Sequence, residues 1–162
     1  MCKLYRKQDE AFSITFPRKE KRLPNILSKE EVNKIISAII NIKHRVIIML
    51  IYSVGLRVSE AASVKIKDID SSRGLIRISQ SKEKKDRLTL LSGVTLKALR
   101  EYYTIYKPEI WLFPGQEDNM HFSVRSVQNI FNKACKEAGV IKNATTHWLR
   151  HYVESNIMGS SP

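Results

Sequence analysis

The apolar residues of this chain change their repeat twice, and that alternation restricts the folds open to it. From Ser28 the spacing is helical. Ser28 and Glu31 form a capping-box pair, and Val32, Ile35, Ile36 and Ile39 supply a stripe for burial. A denser apolar stretch, Lys43–Val54, predicts a central helix ended by Gly55, and Arg57 opens a short helix running to about Ser63. The period then shortens. Ile66–Asp70, a turn at Ser71–Gly74, Leu75–Ser79 and Arg87–Leu91 predict three short antiparallel strands, with Leu75, Ile76 and Ile78 leaving the register open. Helical spacing returns at Leu96, Leu99 and Tyr103 and stops near Pro108, and Trp111–Gly115 has the composition of a buried turn. Ser123–Ala138 predicts another helix, with Val127, Ile130, Phe131 and Ala134 inward and Gly139 at its C-cap. A last helix begins at Thr145 or Thr146. The expected class is mainly α with a small three-stranded antiparallel β-sheet, an α+β arrangement.

A chain of 162 residues has room for one ordinary domain, and its 43% apolar content supports a real core rather than disorder. Lysine and arginine number 28 against 16 acidic residues, a formal net charge of +12. That surplus points to a polyanionic partner, nucleic acid or an acidic membrane face, and composition does not choose between them. Cys2 and Cys135 have no partners at metal-ligand spacing, so neither a disulfide framework nor a zinc site is expected, and the compartment reads as reducing. Cys135 falls in an apolar helical pattern and reads as core. The longest apolar run, Val46–Tyr52, is too short to cross a bilayer, and the N-terminus has no signal-peptide-like apolar core. A cytoplasmic location is expected. Residues 1–23 read as a basic linker or arm, either a solvated tail or a strap along a DNA backbone; the remainder, 24–162, reads as the folded domain.

Three segments carry side chains suited to a phosphate. In THWLRH, His147 and Arg150 are three residues apart and share one helical face, which His151 flanks. Taken alone this spacing describes an ordinary solvated basic face as well as a ligand site. Arg57 follows an apolar helix and a glycine, with Glu60 three residues on. A guanidinium beside a core helix needs a carboxylate or a phosphate. Glu60 can be a complete structural ion-pair partner, or it can hold the arginine fork in place for a ligand. The turn Ser81–Arg87 holds Lys82, Lys84, Lys85 and Arg87; it reads as a soluble loop or as a set of flexible cations able to reach a groove and protonate a departing 5′ oxygen.

Taken in order, these segments resemble the catalytic domain of the tyrosine recombinases, the phage-integrase family, in its Xer-like form. LPNILSKEEVNKII (Leu23–Ile36) resembles the start of that domain. IYSVGLRVSEAASVKIKDID (Ile51–Asp70) resembles the first arginine box, SKEKKDRLTLL (Ser81–Leu91) the β-hairpin of pattern GKGxKxRxVPL, and TTHWLRHYVES (Thr145–Ser155) the HxLRH box. The resemblance covers nearly all of residues 24–158 and implies a fold like that of the DNA breaking-rejoining enzymes. It implies that Arg57 and Arg150 clamp the scissile phosphate, that His147 assists by hydrogen bonding and proton exchange, and that Lys82 is the general acid, with Lys84 as runner-up. Glu60 and His151 would be supporting groups, and Lys84, Lys85 and Arg87 would contact DNA. The implied partners are double-stranded DNA and other recombinase protomers, with no membrane. No metal or other cofactor is implied, because arginines neutralise the phosphate.

The sequence also departs from the family pattern. Members use a tyrosine phenol to form a 3′-phosphotyrosyl link. That tyrosine and the LGH-like segment before it are expected to be missing from residues 1–162, and Tyr152, two residues from Arg150, is expected on roughly the opposite side of its helix. Ala61 stands where leucine is usual, and Glu154 where a small residue is usual. The expectation is a phosphate pocket without its nucleophile, inactive alone. Two alternatives are a non-catalytic DNA-binding module that competes with a full-length recombinase, and a decayed remnant.

Overall fold

A computed structural model describes residues 27–79, 86–117, 119–140 and 144–150. The expectations for Cys2, Lys82, Lys84, Lys85, His151, Tyr152, Glu154 and the arm 1–23 lie outside the described residues. Helix α1 (Lys29–Ala38) starts at the anticipated cap: Ser28 Oγ accepts from the Glu31 amide at 3.1 Å, and Glu31 Oε2 accepts from the Ser28 amide at 3.2 Å. Two orphan amides of the first turn are thereby satisfied without any tertiary contact. Helix α2 (Ile42–Val54) begins one residue earlier than expected, because Asn41 Oδ1 caps the Lys43 and His44 amides. It ends at Gly55, whose φ of 77° is the left-handed C-cap conformation that favours glycine.

Six α2 residues (Val46, Ile47, Ile48, Leu50, Ile51 and Val54) are buried, as expected of a helix covered by neighbours on more than one side. Around it lie α1, the short α3 (Val58–Ala62), α4 (Gly93–Tyr106) and α5 (Val124–Ala138), and α1 also packs on α5. Val32, Ile35, Val127, Phe131 and Ala134 supply buried side chains on α1 and α5. Cys135 is buried on α5 as anticipated, and burial, with a smaller contribution from Glu31, pushes its thiol up to about 11. A pKa raised above the unfolded value favours the protonated, folded form. The Cys135 contribution to stability is thus complete at neutral pH and is lost as pH rises from about 9 through about 11. Denaturation midpoints at pH 8, 9.5 and 11 should fall more steeply in the native chain than in Cys135→Ala, the remaining fall including that of the buried Tyr102 phenol.

The sheet is three-stranded and antiparallel, in the order β1 (Ile69–Asp70), β2 (Leu75–Ile78), β3 (Arg87–Leu90). Ile76 and Ile78 point into the core while Arg77 points out, which settles the register that the sequence left open. One strand is shorter than expected: Ile66–Asp68 is a single 3₁₀ turn. The cause is local. Asp68 Oδ2 accepts from the Lys65 amide at 3.2 Å, and the Asp68 amide donates to the Lys65 carbonyl at 3.0 Å, closing a turn in place of a ladder. Just upstream, Lys65 bridges to Trp111, which brings the 111–115 segment against the core with Leu112 and Phe113 buried. Lys43 Nζ donates to the Pro114 carbonyl at 2.6 Å and lies 4.4 Å from the Phe122 ring centre, and its burial lowers its pKa.

A second correction concerns α4. Tyr103 continues the helical spacing of Leu96 and Leu99, yet it is 48% exposed, whereas Tyr102 is fully buried. Both positions fit helical spacing from Leu99. Tyr102 takes the core because its hydroxyl reaches the Leu112 carbonyl at 2.8 Å and its ring lies 5.5 Å from Phe113. Arg100 ties the other side of α4 to the β1–β2 turn, donating from Nε to Ser71 Oγ at 3.1 Å and from Nη2 to the Ser71 carbonyl at 2.9 Å.

Candidate functional site

Four segments meet where α2 ends: the Gly55–Arg57 turn, the first turn of α3, the first residue of β3, and the described helical residues 146–150. The last segment is held by Leu149, which is fully buried, and by the nearly buried Thr146. With Leu149 directed inward, His147 comes to the exposed side and Arg150 to a half-buried position. Arg150 Nε donates to the Gly55 carbonyl at 2.9 Å, a contact spanning 95 residues of sequence. Gly55 thus does two things. Its left-handed backbone turns the chain at the end of α2, and its carbonyl fixes the stem of Arg150.

Arg57 lies two residues beyond Gly55 and is the N-cap residue of α3, not its first helical residue. Its side chain is 56% exposed. Although it follows the core helix α2, exposure and not burial sets its environment. Glu60 provides its carboxylate partner, but the shorter bond runs to the backbone. Glu60 Oε1 accepts from the Arg57 amide at 2.8 Å, while Arg57 Nη1 stands 3.5 Å from Oε2. An acidic residue in the first turn suits a helix N-terminus, and here it also holds the base of the arginine side chain.

Glu60 has a second cationic partner that sequence spacing did not reveal. Arg87, at the start of β3, donates from Nη2 to Glu60 Oε1 at 3.4 Å. The Glu60 side chain is only 10% exposed and that of Arg87 is 34% exposed. One nearly buried carboxylate therefore bridges the Arg57 turn and the end of the β2–β3 connection. On the outward face of the sheet, Arg77 lies 3.3 Å from Asp68 and 3.9 Å from Asp86. The residue pair that resumes the chain after the lysine turn, Asp86 and Arg87, is thus held by charge on both faces. The signal for the inward contact was present as composition, an arginine beginning a strand, but nothing local assigned its partner.

The structure therefore brings together Arg57, Glu60, Arg87 and Arg150 around one turn, with His147 on the helix that carries Arg150. Among the described residues, no group of three or more His, Cys, Asp and Glu side chains could hold a metal ion, and no helix is long and apolar enough to cross a membrane. Chemically, the cluster offers planar cationic donors from separate segments, a set matched to the non-bridging oxygens of a phosphate.

The sequence profile of the phage integrase family matches residues 25–161, and the chain belongs to that family. It is 38% identical over 138 residues to an integrase/recombinase-type protein of Sinorhizobium fredii, covering 85% of this chain and 45% of that relative. It is 30% identical over 152 residues to the tyrosine recombinase XerA of Pyrococcus horikoshii, covering 92% of this chain and 53% of XerA. The chain spans about half the length of these curated relatives. The fold is shared with a crystal structure of XerA recombinase at a TM-score of 0.78 and 25% identity, over 86% of this chain and 53% of that one. It is shared too with XerH recombinase bound to its difH substrate, at a TM-score of 0.69 and 22% identity, over 85% and 44% of the two chains. The mainly helical fold with its small antiparallel sheet is that of a tyrosine recombinase catalytic domain.

Proposed function

We propose that this chain supplies the phosphate-binding pocket for site-specific DNA recombination, the breaking and rejoining of a phosphodiester through a 3′-phosphotyrosyl intermediate. The observation that carries the reading is the convergence of Arg150 on the Gly55 carbonyl beside Arg57, from opposite ends of the domain. In this reading Arg57 and Arg150 donate to the non-bridging oxygens of the scissile phosphate and stabilise the charge that grows there as phosphorus becomes five-coordinate. His147 hydrogen-bonds the same group and exchanges a proton with it. Glu60, itself nearly buried, fixes the Arg57 turn. Lys82, or Lys84 in its place, protonates the 5′ oxygen as the phosphorus–oxygen bond breaks. Lys84 and Lys85 are assigned to the DNA side of the pocket, and His151 to its support.

The attacking group in such a reaction is a tyrosine phenolate. It forms the new bond to phosphorus while the 5′ oxygen leaves with the proton given by the lysine. None of the tyrosines of residues 1–162 is assigned that role. Tyr102 is fully buried and donates to a backbone carbonyl, and burial raises its pKa well above the ordinary phenol value. The XerH structure holds a recombinase on its DNA site. By the same chemistry, double-stranded DNA and further recombinase protomers are the proposed partners here.

The experiment combines salt-dependent binding with a nicked suicide substrate. The 162-residue chain is expected to bind duplex DNA with an affinity that falls steeply as salt rises, the logarithmic slope being about −0.9 per phosphate contacted. It is expected to leave no covalent adduct on a denaturing gel. Affinity that ignores salt, or no binding, overturns the reading. An adduct overturns the nucleophile assignment and maps the tyrosine that makes it.

A further inference from the structure

We infer that Arg87 is a positioning residue, acting through Glu60 to set the Arg57 turn against the start of β3, and not primarily a DNA-contacting cation. The inference deepens the proposed function and rests on it for its consequence in DNA binding, but its structural content stands independently. Three observations support it. Arg87 Nη2 and the Arg57 amide share one oxygen, Glu60 Oε1, at 3.4 and 2.8 Å. Glu60 is nearly buried, so its charge is shielded from water and strengthened toward both partners. Arg87 lies at the junction where the chain returns from the lysine turn, and its neighbour Asp86 is held from the opposite face by Arg77.

The consequence is mechanical. The first residue of β3 is tied to the same carboxylate that caps α3. Without Arg87, Glu60 keeps its bond to the Arg57 amide but loses the cation that draws its Oε1 toward the sheet. The carboxylate is then free to rotate toward the Arg57 guanidinium, which stands 3.5 Å from Oε2. A guanidinium drawn into that ion pair has fewer donors to offer a phosphate. Arg87 thereby keeps Glu60 from competing with DNA for Arg57. A DNA-contacting arginine would behave differently, since its loss would remove one phosphate contact and leave Arg57 as it was.

The two roles separate in a double-mutant cycle on the 162-residue chain, comparing Arg87→Met, Arg87→Lys, Glu60→Gln and the combined Glu60→Gln/Arg87→Met. The first readout uses free protein: the side-chain Nε–Hε resonance of Arg57 should shift in Arg87→Met and move back toward its original place in Arg87→Lys. The second is affinity for duplex DNA across a salt series. Arg87→Met should weaken binding roughly three- to tenfold with an unchanged salt slope, and should add nothing further in the Glu60→Gln background. An unmoved Arg57 resonance in a folded Arg87→Met overturns the proposal. So does a slope shallower by about 0.9 with additive losses, which identifies a direct phosphate contact. If Arg87→Met does not fold, Arg87→Gln carries the same comparison, because it removes the cation while keeping a polar donor at that position. If the unaltered chain shows no salt-sensitive DNA binding, the functional reading fails, and the Arg57 resonance still decides the role of Arg87.

Discussion

Arg57→Ala is expected to lower affinity for duplex DNA by about tenfold or more, to make the salt slope shallower by about 0.9, and to leave the melting temperature within about 2 °C. The asymmetry follows from where the side chain sits. It is 56% exposed, and its ion pair with Glu60 is long at 3.5 Å, so little stability depends on it. The Glu60 bond that matters to α3 runs to the Arg57 backbone amide, which alanine retains. A charge-assisted hydrogen bond to a phosphate is, by contrast, among the stronger single contacts available to a protein. Titrating labelled duplex at several salt concentrations, beside a thermal melt of the same samples, checks both halves. A fall of 5 °C or more with unchanged DNA affinity would mean that Arg57 is a structural partner of Glu60 and nothing else.

Phe131→Ala should have the opposite profile, with a loss of about 3–5 kcal/mol of folding free energy read by chemical denaturation. Phe131 is fully buried on α5, the helix against which α1, α2 and α3 all pack. Truncating the ring leaves a cavity at a point where three helices would have to move to close it. Against the 5–15 kcal/mol typical of whole domains, that loss is a large fraction of the total. At temperatures where the variant remains folded, its DNA affinity should change little, because no part of the arginine cluster lies on α5. A loss below about 1 kcal/mol would show that α5 is not the common wall of the core.

Much of the architecture is legible in the sequence because its signals are local. The capping box at Ser28 and Glu31 and the glycine caps at Gly55 and Gly139 act within one turn of a helix, and each is found where the residue pattern places it. The buried set Val127, Phe131 and Ala134 follows from a single helical period. The misreadings occur where a local pattern admits two answers. Tyr102 and Tyr103 both fit the period of α4, and a carbonyl at Leu112 decides between them. Ile66–Asp68 has strand-like composition, but the Asp68 carboxylate closes a 3₁₀ turn at Lys65 before a ladder can form. Arg57 follows a core helix in sequence, but its neighbours along the chain say nothing about how far it is covered, and its side chain is 56% exposed.

The sequence by itself determined the element types, the family, and the residues Arg57, Glu60, Arg87, His147 and Arg150 as the cationic and acidic groups available for chemistry. Only the tertiary structure decided how they are shared: Arg150 on the Gly55 carbonyl, and Glu60 held in common by the Arg57 amide and Arg87. The reason is one of range. Helical period, caps and turns are set by interactions a few residues long, whereas a hydrogen bond between residues 27 or 95 positions apart exists only after the core has brought their elements within about 3 Å.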